Sequence, residues 1–508
     1  MHSFPNPGSI HFLDHHRSVN EMSAVHLVML NLPSPPGKNI LRDVAGGFGR
    51  LHSPSKRVEF GQDQNAAFNP PAMEAHACGL AEHLGAIASV IDGQGENLNL
   101  RNLIARIERL EPDFVLCRPN LPSYTSDLTV SSSIKAKLPE ACLIAWGTTC
   151  TSMPDRILSD SSFDMVSAAD LKLTIEEILG KDRDIRLLTR EKDDGRHLPG
   201  IRPEPLDLDS MPMPAYHLLD FDLYRSNGRT FFPVYASLGC SFSCYYCPYP
   251  IGFGSPWKPR DPERVVDEAR CLIEDHGVRR IGFRDQTWNM DPKRSMKICR
   301  MLEGVKDGAD WYAALRADKL SRELARSMKS CGCFRVEMGL ETGDSELFAS
   351  VGKNESSLDS VKRGFSNAKE AGLLSMAHVM VGLPGDGWKQ TLRTMKVLHH
   401  ISPDNLQVSI ATPYPGTRFH AEAIKNDWFI DECIEHLDGK TPVLSYPEFP
   451  KEDIIRARNA LLDWRRGDLL IKDLQRAIKD RQYLEAITSI RGLASRPMSS
   501  FRRMSDML

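Results

Sequence analysis

Between residues 25 and 180 the sequence alternates short, almost continuously apolar runs with longer amphipathic stretches. The apolar runs are VHLVMLNL, ASVIDG, DFVLCRP, CLIAWG and FDMVSA. Strands that are apolar on both faces and joined by amphipathic helices form a parallel sheet with helices on both sides. We therefore predict a five-stranded, doubly wound, Rossmann-like α/β domain for residues 25–180.

A second series of strands and helices follows, for which we predict a domain at residues 231–427. Its six apolar runs begin with FPVYASLG and end with LQVSIATP. Six β/α units are too few for a closed eight-stranded barrel, so an open, partial (β/α)6 TIM-like barrel is predicted, with active residues at the strand ends. Residues 181–230 are charged and proline-rich and are predicted to be a linker. Residues 428–508 are predicted to be helical, with basic residues on a solvated face and a mobile tail, SSFRRMSDML.

Charge and apolar content narrow the range of partners. The 64 lysines and arginines nearly balance the 67 aspartates and glutamates, so no net charge favours nucleic acid or an anionic membrane. No apolar run approaches the roughly 18 residues of a membrane span. Twelve cysteines are diluted in 508 residues, and the first residues lack the pattern of a secretory signal. We expect a cytoplasmic protein that acts on a small molecule.

The loops predicted at the carboxyl ends of the first five strands are rich in small and hydroxylated residues. Ligands of open α/β sheets bind at this edge. Gly46 and Gly47 in AGGFG, Gly147 and Thr148 in GTTCTS, and Ser126 in SYTS are candidates for binding a bulky ligand through backbone amides and hydroxyl groups. Ordinary turn chemistry would produce the same composition.

The stretch SLGCSFSCYYCPYP places Cys240, Cys244 and Cys247 at the spacing CxxxCxxC. Structural zinc takes four ligands, commonly as two pairs, and no matching second pair is evident, since Cys331 and Cys333 form a CxC at a strand. Three thiolates suit a 4Fe-4S cubane in which one iron keeps an open position. A zinc-binding interaction protein is the alternative from another class.

Together these motifs resemble the radical S-adenosylmethionine superfamily. CxxxCxxC follows the first strand of the predicted half-barrel, and IGFRDQTWNMD, VEMGLETGDSEL and VMVGLPGDGWKQT match the positions of the family's second-, fourth- and fifth-strand motifs. IATPYPGTRFHAEA resembles the sixth-strand ending of the subgroup that carries an N-terminal cobalamin-binding domain. The resemblance covers about residues 25–430 and implies three cofactors: a 4Fe-4S cluster, S-adenosylmethionine and cobalamin.

The resemblance also implies roles for individual residues. The three cysteines of CxxxCxxC would ligate iron, Tyr246 would lie against the adenine, and Glu341 would accept hydrogen bonds from the ribose or methionine end. Asp285 would contact the amino group of S-adenosylmethionine. However, FRDQ departs from the family's glycine-glycine-glutamate, so a structural role as an ordinary carboxylate at a strand end is an equal alternative. Arg316 would bind a carboxylate through its fork or form a structural salt bridge. Gly382 would allow a tight turn under the adenine.

The first domain lacks the DxHxxG motif that supplies a histidine to cobalt, so it resembles the variant that binds cobalamin without one. AGGFG and NPPAM would then lie near the corrin, and GTTCTS and SYTS near the nucleotide tail. The implied activity is transfer of methyl from methylcobalamin to an unactivated carbon, with electrons from a donor such as flavodoxin or ferredoxin. A cobalamin-dependent cyclase or ring-rearranging enzyme without methyl transfer would carry the same motifs. The sequence singles out no catalytic residue and no substrate.

Overall fold

The computed structural model describes residues 24–52, 69–168, 170–180, 187–189, 204–226, 228–305, 309–352 and 356–479. Two large, mainly parallel sheets dominate this part of the chain, and helices cover them. In the described residues no helix is both long and apolar enough to cross a membrane. The predicted tail at 499–508 and most of the charged stretch 181–203 lie outside these ranges.

The first sheet has six strands in the spatial order β2-β1-β3-β4-β5-β6. They are β1 (His26–Asn31), β2 (Ile87–Asp92), β3 (Phe114–Cys117), β4 (Cys142–Ala145), β5 (Met165–Ser167) and β6 (Leu187–Thr189). Strands β1 to β5 are parallel, as predicted, and β6 is an additional antiparallel edge strand. The three residues of β6 lie in a charged stretch and are too few to show the alternation of apolar and polar residues that indicates a strand, which is why the sequence did not predict β6.

Helices on both faces cover this sheet. They are α1 (Ala72–His83), α2 (Leu100–Leu110), α3 (Tyr124–Lys137), α4 (Thr148–Ser152), α5 (Pro154–Asp160) and α6 (Leu171–Ile178). In α2, Asn99 caps the first turn by accepting from the amide of Asn102, and Leu103 and Ile107 one turn apart are buried against the sheet. The strand order changes direction between β1 and β3, so the loops after these two strands flank the usual ligand crevice of such a sheet.

A strap of short 3-10 turns connects the two sheets over residues 204–224. The hydroxyl of Tyr224 donates to Asp92 at the end of β2, at 2.8 Å. The hydroxyl of Tyr216 donates to Glu268, in a helix of the second sheet, at 2.8 Å. This part of the predicted linker is therefore packed and hydrogen-bonded to both sheets.

The second sheet is an open, parallel half-barrel, as predicted. Its strands lie side by side in chain order: β7 (Arg229–Val234), β8 (Arg280–Phe283), β9 (Asp310–Leu315), β10 (Cys333–Glu341), β11 (Leu374–Val381) and β12 (Asn405–Ile410). A two-residue antiparallel strand, Arg225–Ser226, borders β7. The helices of this half are α7 (Tyr249–Phe253), α8 (Pro262–Glu274), α9 (Pro292–Leu302), α10 (Arg322–Ser330), α11 (Ser345–Ser350), α12 (Leu358–Glu370), α13 (Trp388–Ile401) and α14 (Arg418–Lys425).

The prediction of helix from residue 428 onward was wrong for the first 23 residues. Helix α15 spans Lys451–Lys479, whereas residues 428–450 are irregular apart from an isolated bridge between Phe429 and Leu444 and one short turn. Pro442, Pro447 and Pro450 account for the second part of this stretch, because proline removes a helical hydrogen bond and clashes with the preceding turn.

Candidate active site

The three cysteines of CxxxCxxC lie together on the loop between β7 and α7. The amide of Cys247 donates to the carbonyl of Cys244 at 3.1 Å, and the amide of Cys240 donates to Gly254 at 3.1 Å, which closes the loop on itself. Burial, followed by the neighbouring Cys244 thiol, raises the pKa of Cys247. Among the described residues, no three His, Cys, Asp or Glu side chains lie close enough together to hold a single metal ion. A cubane, which assigns each thiolate to a different iron, fits three such partly exposed thiols on one loop.

Tyr246 and Glu341 are brought together beside this loop. Glu341 is the last residue of β10, where the register with β11 shifts and its φ is +63°. The Tyr246 hydroxyl is hydrogen-bonded to the Glu341 carboxylate, and burial, followed by this carboxylate, raises the pKa of Tyr246. Two residues that the resemblance assigned to S-adenosylmethionine therefore form one pair next to the cysteines, and those assignments stay predictions.

Asp285 is fully buried and uses its carboxylate within the protein. It accepts from the amide of Ala236 at 2.8 Å and from the hydroxyl of Ser237. Burial raises its pKa to about 6. These contacts fix the segment that leads into Cys240, which is what the strand-end alternative for this residue expects. Its contact with S-adenosylmethionine stays a prediction.

Arg316 is buried at the end of β9 and forms the salt bridge that sequence analysis left as an alternative. Its guanidinium donates to both carboxylate oxygens of Asp318, at 3.0 and 2.8 Å. The same group lies 4.0 Å from the ring centroid of Phe242, which stands between Cys240 and Cys244. Arg316 therefore supports the cysteine loop through a cation–π contact.

Gly382 begins the tight turn that follows β11, with a φ of +89°. The carboxylate of Asp386 accepts from the amides of Gly382 and Gly387, both at 2.8 Å, and the Tyr446 hydroxyl donates to the Gly382 carbonyl at 3.0 Å. Sequence reasoning missed Asp386 and Tyr446. The glycine-proline-glycine pattern pointed to the turn, but nothing in it showed which side chain closes it.

The glycine loops of the first sheet pack directly on the helix that follows the cysteines. A Cβ on Gly46 would lie 2.7 Å from the carbonyl carbon of Pro248, and one on Gly252 would lie 2.0 Å from Thr148 Oγ1. Thr148 Oγ1 donates to the carbonyl of Gly46 at 2.6 Å, and a Cβ on Gly47 would lie 2.3 Å from the same hydroxyl. We call this contact between residues 46–47, 148 and 248–252 the seam.

Beside the seam is a small pocket that opens to solvent. Gly147 and Thr148 line it together with Arg118, Trp146 and Phe253, among others. The buried Nε1 of Trp146 and Nε of Arg118 have no hydrogen-bond partner among the described residues, although other nitrogens of Arg118 contact two carboxylates. Buried donors without a partner at a pocket wall fit a polar ligand there. Ser126 does not line this pocket; it lies half-exposed on α3.

Sequence reasoning also missed the residues that fix the first of these loops. Arg42 donates to both carboxylate oxygens of the buried Asp127, at 2.9 and 3.0 Å, and to Asn120 at 2.8 Å. Asn120 in turn donates to the carbonyl of Gly47 at 2.8 Å. Only the tertiary structure shows this network, because its members come from two segments that are 73 or more positions apart in the chain.

Comparison with known proteins identifies the half-barrel. The family model of the radical SAM superfamily matches residues 234–398, from the end of β7 into α13. The chain carries a radical SAM domain. Tyr246 in the cysteine loop, Glu341 and Gly382 lie within this radical SAM domain, as do the three cysteines. The resemblance noted from the motifs is therefore confirmed.

Relatives of the chain extend beyond the radical SAM domain. An uncharacterised methyltransferase of Pyrococcus horikoshii is 29% identical over 400 residues, which cover 76% of this chain and 86% of that protein. The anaerobic magnesium-protoporphyrin IX monomethyl ester cyclase of Cereibacter sphaeroides is 24% identical over 372 residues, covering 70% of this chain and 60% of the cyclase. The solved structure of OxsB, a cobalamin-dependent S-adenosylmethionine radical enzyme, has a TM-score of 0.67 at 12% identity, covering 96% of this chain and 75% of OxsB. At that identity the likeness shows a shared fold.

Proposed function

We propose that this chain is a cobalamin-dependent radical S-adenosylmethionine methyltransferase that acts on an unactivated carbon of a small molecule. The observation that carries the proposal is the seam, where Gly46 and Thr148 meet the helix that follows Cys247. Ligands of open α/β sheets bind at the carboxyl edge of the strands. The seam brings that edge to the cysteine loop, so one enclosed region can serve both halves of the reaction.

In the radical SAM half, Cys240, Cys244 and Cys247 would hold the 4Fe-4S cluster. Tyr246 and Glu341 would hold S-adenosylmethionine beside it, and the Arg316–Phe242 contact would keep the loop in place. When bound, the cluster supplies the reducing electron for radical formation and cobalamin supplies the methyl group. An unactivated carbon has no lone pair and no acidic proton, so polar methylation fails and radical chemistry is required.

In the first half, residues 25–180 would form the cobalamin-binding domain. Gly46 and Gly47 would lie near the corrin, and Gly147 and Thr148 near the nucleotide tail, where the unpartnered donors of Trp146 and Arg118 face the pocket. The absence of DxHxxG from the sequence supports binding without a histidine ligand to cobalt. Ser126 would contact the nucleotide tail only from the outer side of α3. The linker would be residues 181–230, the radical SAM domain residues 231–427 and the C-terminal region residues 428–508.

A second candidate function is radical cyclisation or ring rearrangement without methyl transfer. The similarity to the Cereibacter sphaeroides cyclase favours it, although the chain spans only 60% of that protein. The two functions differ in their product, because methyl transfer adds one methylene to the mass of the substrate. For either, we propose an external electron donor such as flavodoxin or ferredoxin and a reducing, cytoplasmic compartment, which suits twelve free thiols.

The first test asks whether the three cysteines hold the cluster. The full chain is reconstituted anaerobically with iron and sulfide, beside a variant with Cys240, Cys244 and Cys247 all changed to Ala. We expect the variant to lose its iron and its visible absorption. Cys433→Ala is the matched control, because Cys433 is an exposed thiol outside the loop, and it should retain both. Retention of iron by the triple variant would exclude the assignment.

The second test addresses methyl transfer itself. The reconstituted enzyme with cobalamin, a reductant and methyl-labelled S-adenosylmethionine is incubated with fractions of a small-molecule extract. We expect one fraction to yield a labelled product, with one S-adenosylhomocysteine and one 5′-deoxyadenosine formed per product. A product formed with 5′-deoxyadenosine alone and without label would transfer the assignment to the cyclase or ring-rearranging class.

A further inference from the structure

The inner face of the half-barrel is polar and only partly covered. Along β9, β10, β11 and β12 the residues that face the helices are buried, while alternate residues on the other face are partly exposed. The partly exposed set includes the polar side chains of Tyr312, Glu337, His378, Gln407 and Ser409. Solvent therefore reaches these side chains, and the inner face of the half-barrel is polar and not an apolar core.

One arginine on this face differs from the neighbouring arginines in its ion pairing. Each of three nearby arginines holds a carboxylate, in the pairs Arg280–Asp310 at 2.7 Å, Arg316–Asp318 at 2.8 Å and Arg335–Glu337 at 2.7 Å. Arg284, which directly follows β8, forms no ion pair with a carboxylate of any described residue. Its guanidinium is hydrogen-bonded to the hydroxyl of Tyr312.

Arg284 lies on this inner face, below Glu341 at the end of β10. Phe283 pairs with Ala313, which places Arg284 level with Ala314, and Ala314 pairs with Glu337 of β10. Only the methyl group of Ala314 therefore stands between Arg284 and Glu337 at this level of the sheet. Arg284 is itself partly exposed, so a ligand that enters the half-barrel can reach it.

The charges around Arg284 leave it able to bind an anion. Burial opposes ionisation of Glu337, but His378, Arg335 and, to a smaller extent, Arg284 outweigh it and lower the pKa of Glu337 to about 2. That carboxylate is therefore charged, and its direct contacts are with Arg335 and His378. Burial opposes ionisation of Arg284, but Tyr312, Tyr235 and the carboxylates of Asp43 and Glu337 outweigh it and raise its pKa, so the guanidinium is charged. Because neither carboxylate is within ion-pair distance, its planar fork can bind a carboxylate or phosphate through two hydrogen bonds.

We propose that Arg284 binds an anionic group of the substrate, a carboxylate or a phosphate, inside the half-barrel. The substrate is then an anionic small molecule, anchored below the site where the radical would form. The assignment of this anion to a substrate rests on the proposed function. The anion site itself is testable without any turnover.

The experiment uses phenylglyoxal, which modifies accessible arginines, on the reconstituted full-length protein, with sites mapped by peptide mass spectrometry. Labelling is compared in chloride, inorganic phosphate and glutarate at equal ionic strength, and in neutral glutaramide. We expect Arg284 to be labelled in chloride and glutaramide. We expect phosphate or glutarate at several times its dissociation constant to slow labelling about threefold or more. Arg280, Arg316 and Arg335 are the internal controls, since their carboxylate partners already occupy them.

The two anions distinguish the sources of the charge, because protection by phosphate alone indicates a phosphorylated substrate and protection by glutarate alone a carboxylate. Equal labelling of Arg284 in all four solutions would overturn the proposal. Absence of labelling in chloride would also overturn it, because a site closed to the reagent is closed to a substrate. Arg284→Lys checks the mapping and should remove the protected peptide. The labelling experiment involves no turnover, so the two proposals can fail separately. Protection of Arg284 without methyl transfer would refute only the proposed function. Methyl transfer without protection of Arg284 would refute only the anion site.

Discussion

Glu341 adopts a left-handed backbone conformation, with a φ of +63°, at the last position of β10. For a residue other than glycine such a conformation costs on the order of 1–3 kcal/mol and persists where the surrounding structure enforces it. Here the register shift after Gly339 and the hydrogen bond to Tyr246 enforce it. The strain aims the carboxylate back toward the cysteine loop, which a regular strand ending would not do.

The Tyr246–Glu341 pair should act as a unit in binding S-adenosylmethionine. Tyr246→Phe and Glu341→Gln should each weaken binding about tenfold, the loss of roughly 1.4 kcal/mol expected for one good hydrogen bond. Because the residues share that bond, the double variant should lose less than the sum of the two effects. Equilibrium dialysis of reconstituted protein measures this, with iron content as the control for an intact cluster. Strict additivity would contradict the coupling.

At the scale of elements, one carboxylate holds each of two loops that approach the site. Asp386 closes the turn between β11 and α13, and Asp127 on α3 holds the loop after β1 through Arg42. The two differ in their electrostatics. Asp386 is buried without a cation in contact, whereas Asp127 is paired with a guanidinium. They should therefore respond differently to pH and to substitution.

Asp386 should make stability depend on pH. Burial raises its pKa from 3.8 to about 6, although two amide hydrogen bonds oppose the shift. The folded state therefore holds the proton more tightly, and the stabilising contribution is complete below pH 3.8 and lost as the pH rises through about 6. Between pH 5 and pH 7.5 the loss should be about 1 kcal/mol. Asp285, whose pKa burial also raises to about 6, adds a decrease of its own, so urea unfolding at both pH values should show a decrease that is about 1 kcal/mol smaller in Asp386→Asn than in the natural chain. The same decrease in both would contradict the prediction.

Removing one partner of the Arg42–Asp127 pair should be severely destabilising. Both side chains are almost completely buried, so Asp127→Asn leaves a guanidinium without its counter-charge, at about 3–5 kcal/mol. Glu435→Gln is the control, because the Lys38–Glu435 pair is partly exposed and should contribute about 0–1 kcal/mol. Chemical denaturation of both variants measures the difference. Similar midpoints for the two would show that the loop does not depend on the buried pair.

For the whole molecule, the seam determines how the two sheets sit against each other. Gly46→Ala should be more destabilising than its backbone conformation explains, since the new methyl group would meet the backbone of Pro248 at 2.7 Å. Gly85→Ala is the matched control: its φ of +92° is also left-handed, but nothing lies within 4 Å of its Cβ. We expect about 1 kcal/mol for the control and about 2–4 kcal/mol for Gly46→Ala.

Thermal unfolding measures the two losses, and limited proteolysis of the strap at residues 204–224 reports separation of the sheets. Gly46→Ala should be cut faster than the natural chain, whereas Gly85→Ala should match it. If both variants behave alike, the seam does not hold the sheets together.

The sequence alone determined the two parallel sheets and the cysteine loop. Their sequence signals are local. Four to eight consecutive residues are enough to indicate a buried strand, and CxxxCxxC spans eight, so each can be predicted without knowing which segments pack on it. The strands β1 to β5 and β7 to β12 therefore lie where apolar runs predicted them. The helix predicted from residue 428 failed where prolines interrupted the pattern, and β6 was too short to carry one.

Only the tertiary structure decided which side chains meet. Asp285 turned inward to hold Ala236 and Ser237, and Arg316 paired with Asp318, at two positions where the sequence left a ligand contact and a structural role equally open. The contact of Gly46 with Pro248 joins residues 202 positions apart, and no periodicity encodes such a distance. Strand pattern is set by each segment's own burial, whereas pairing of polar groups depends on which segments the fold brings within hydrogen-bonding range.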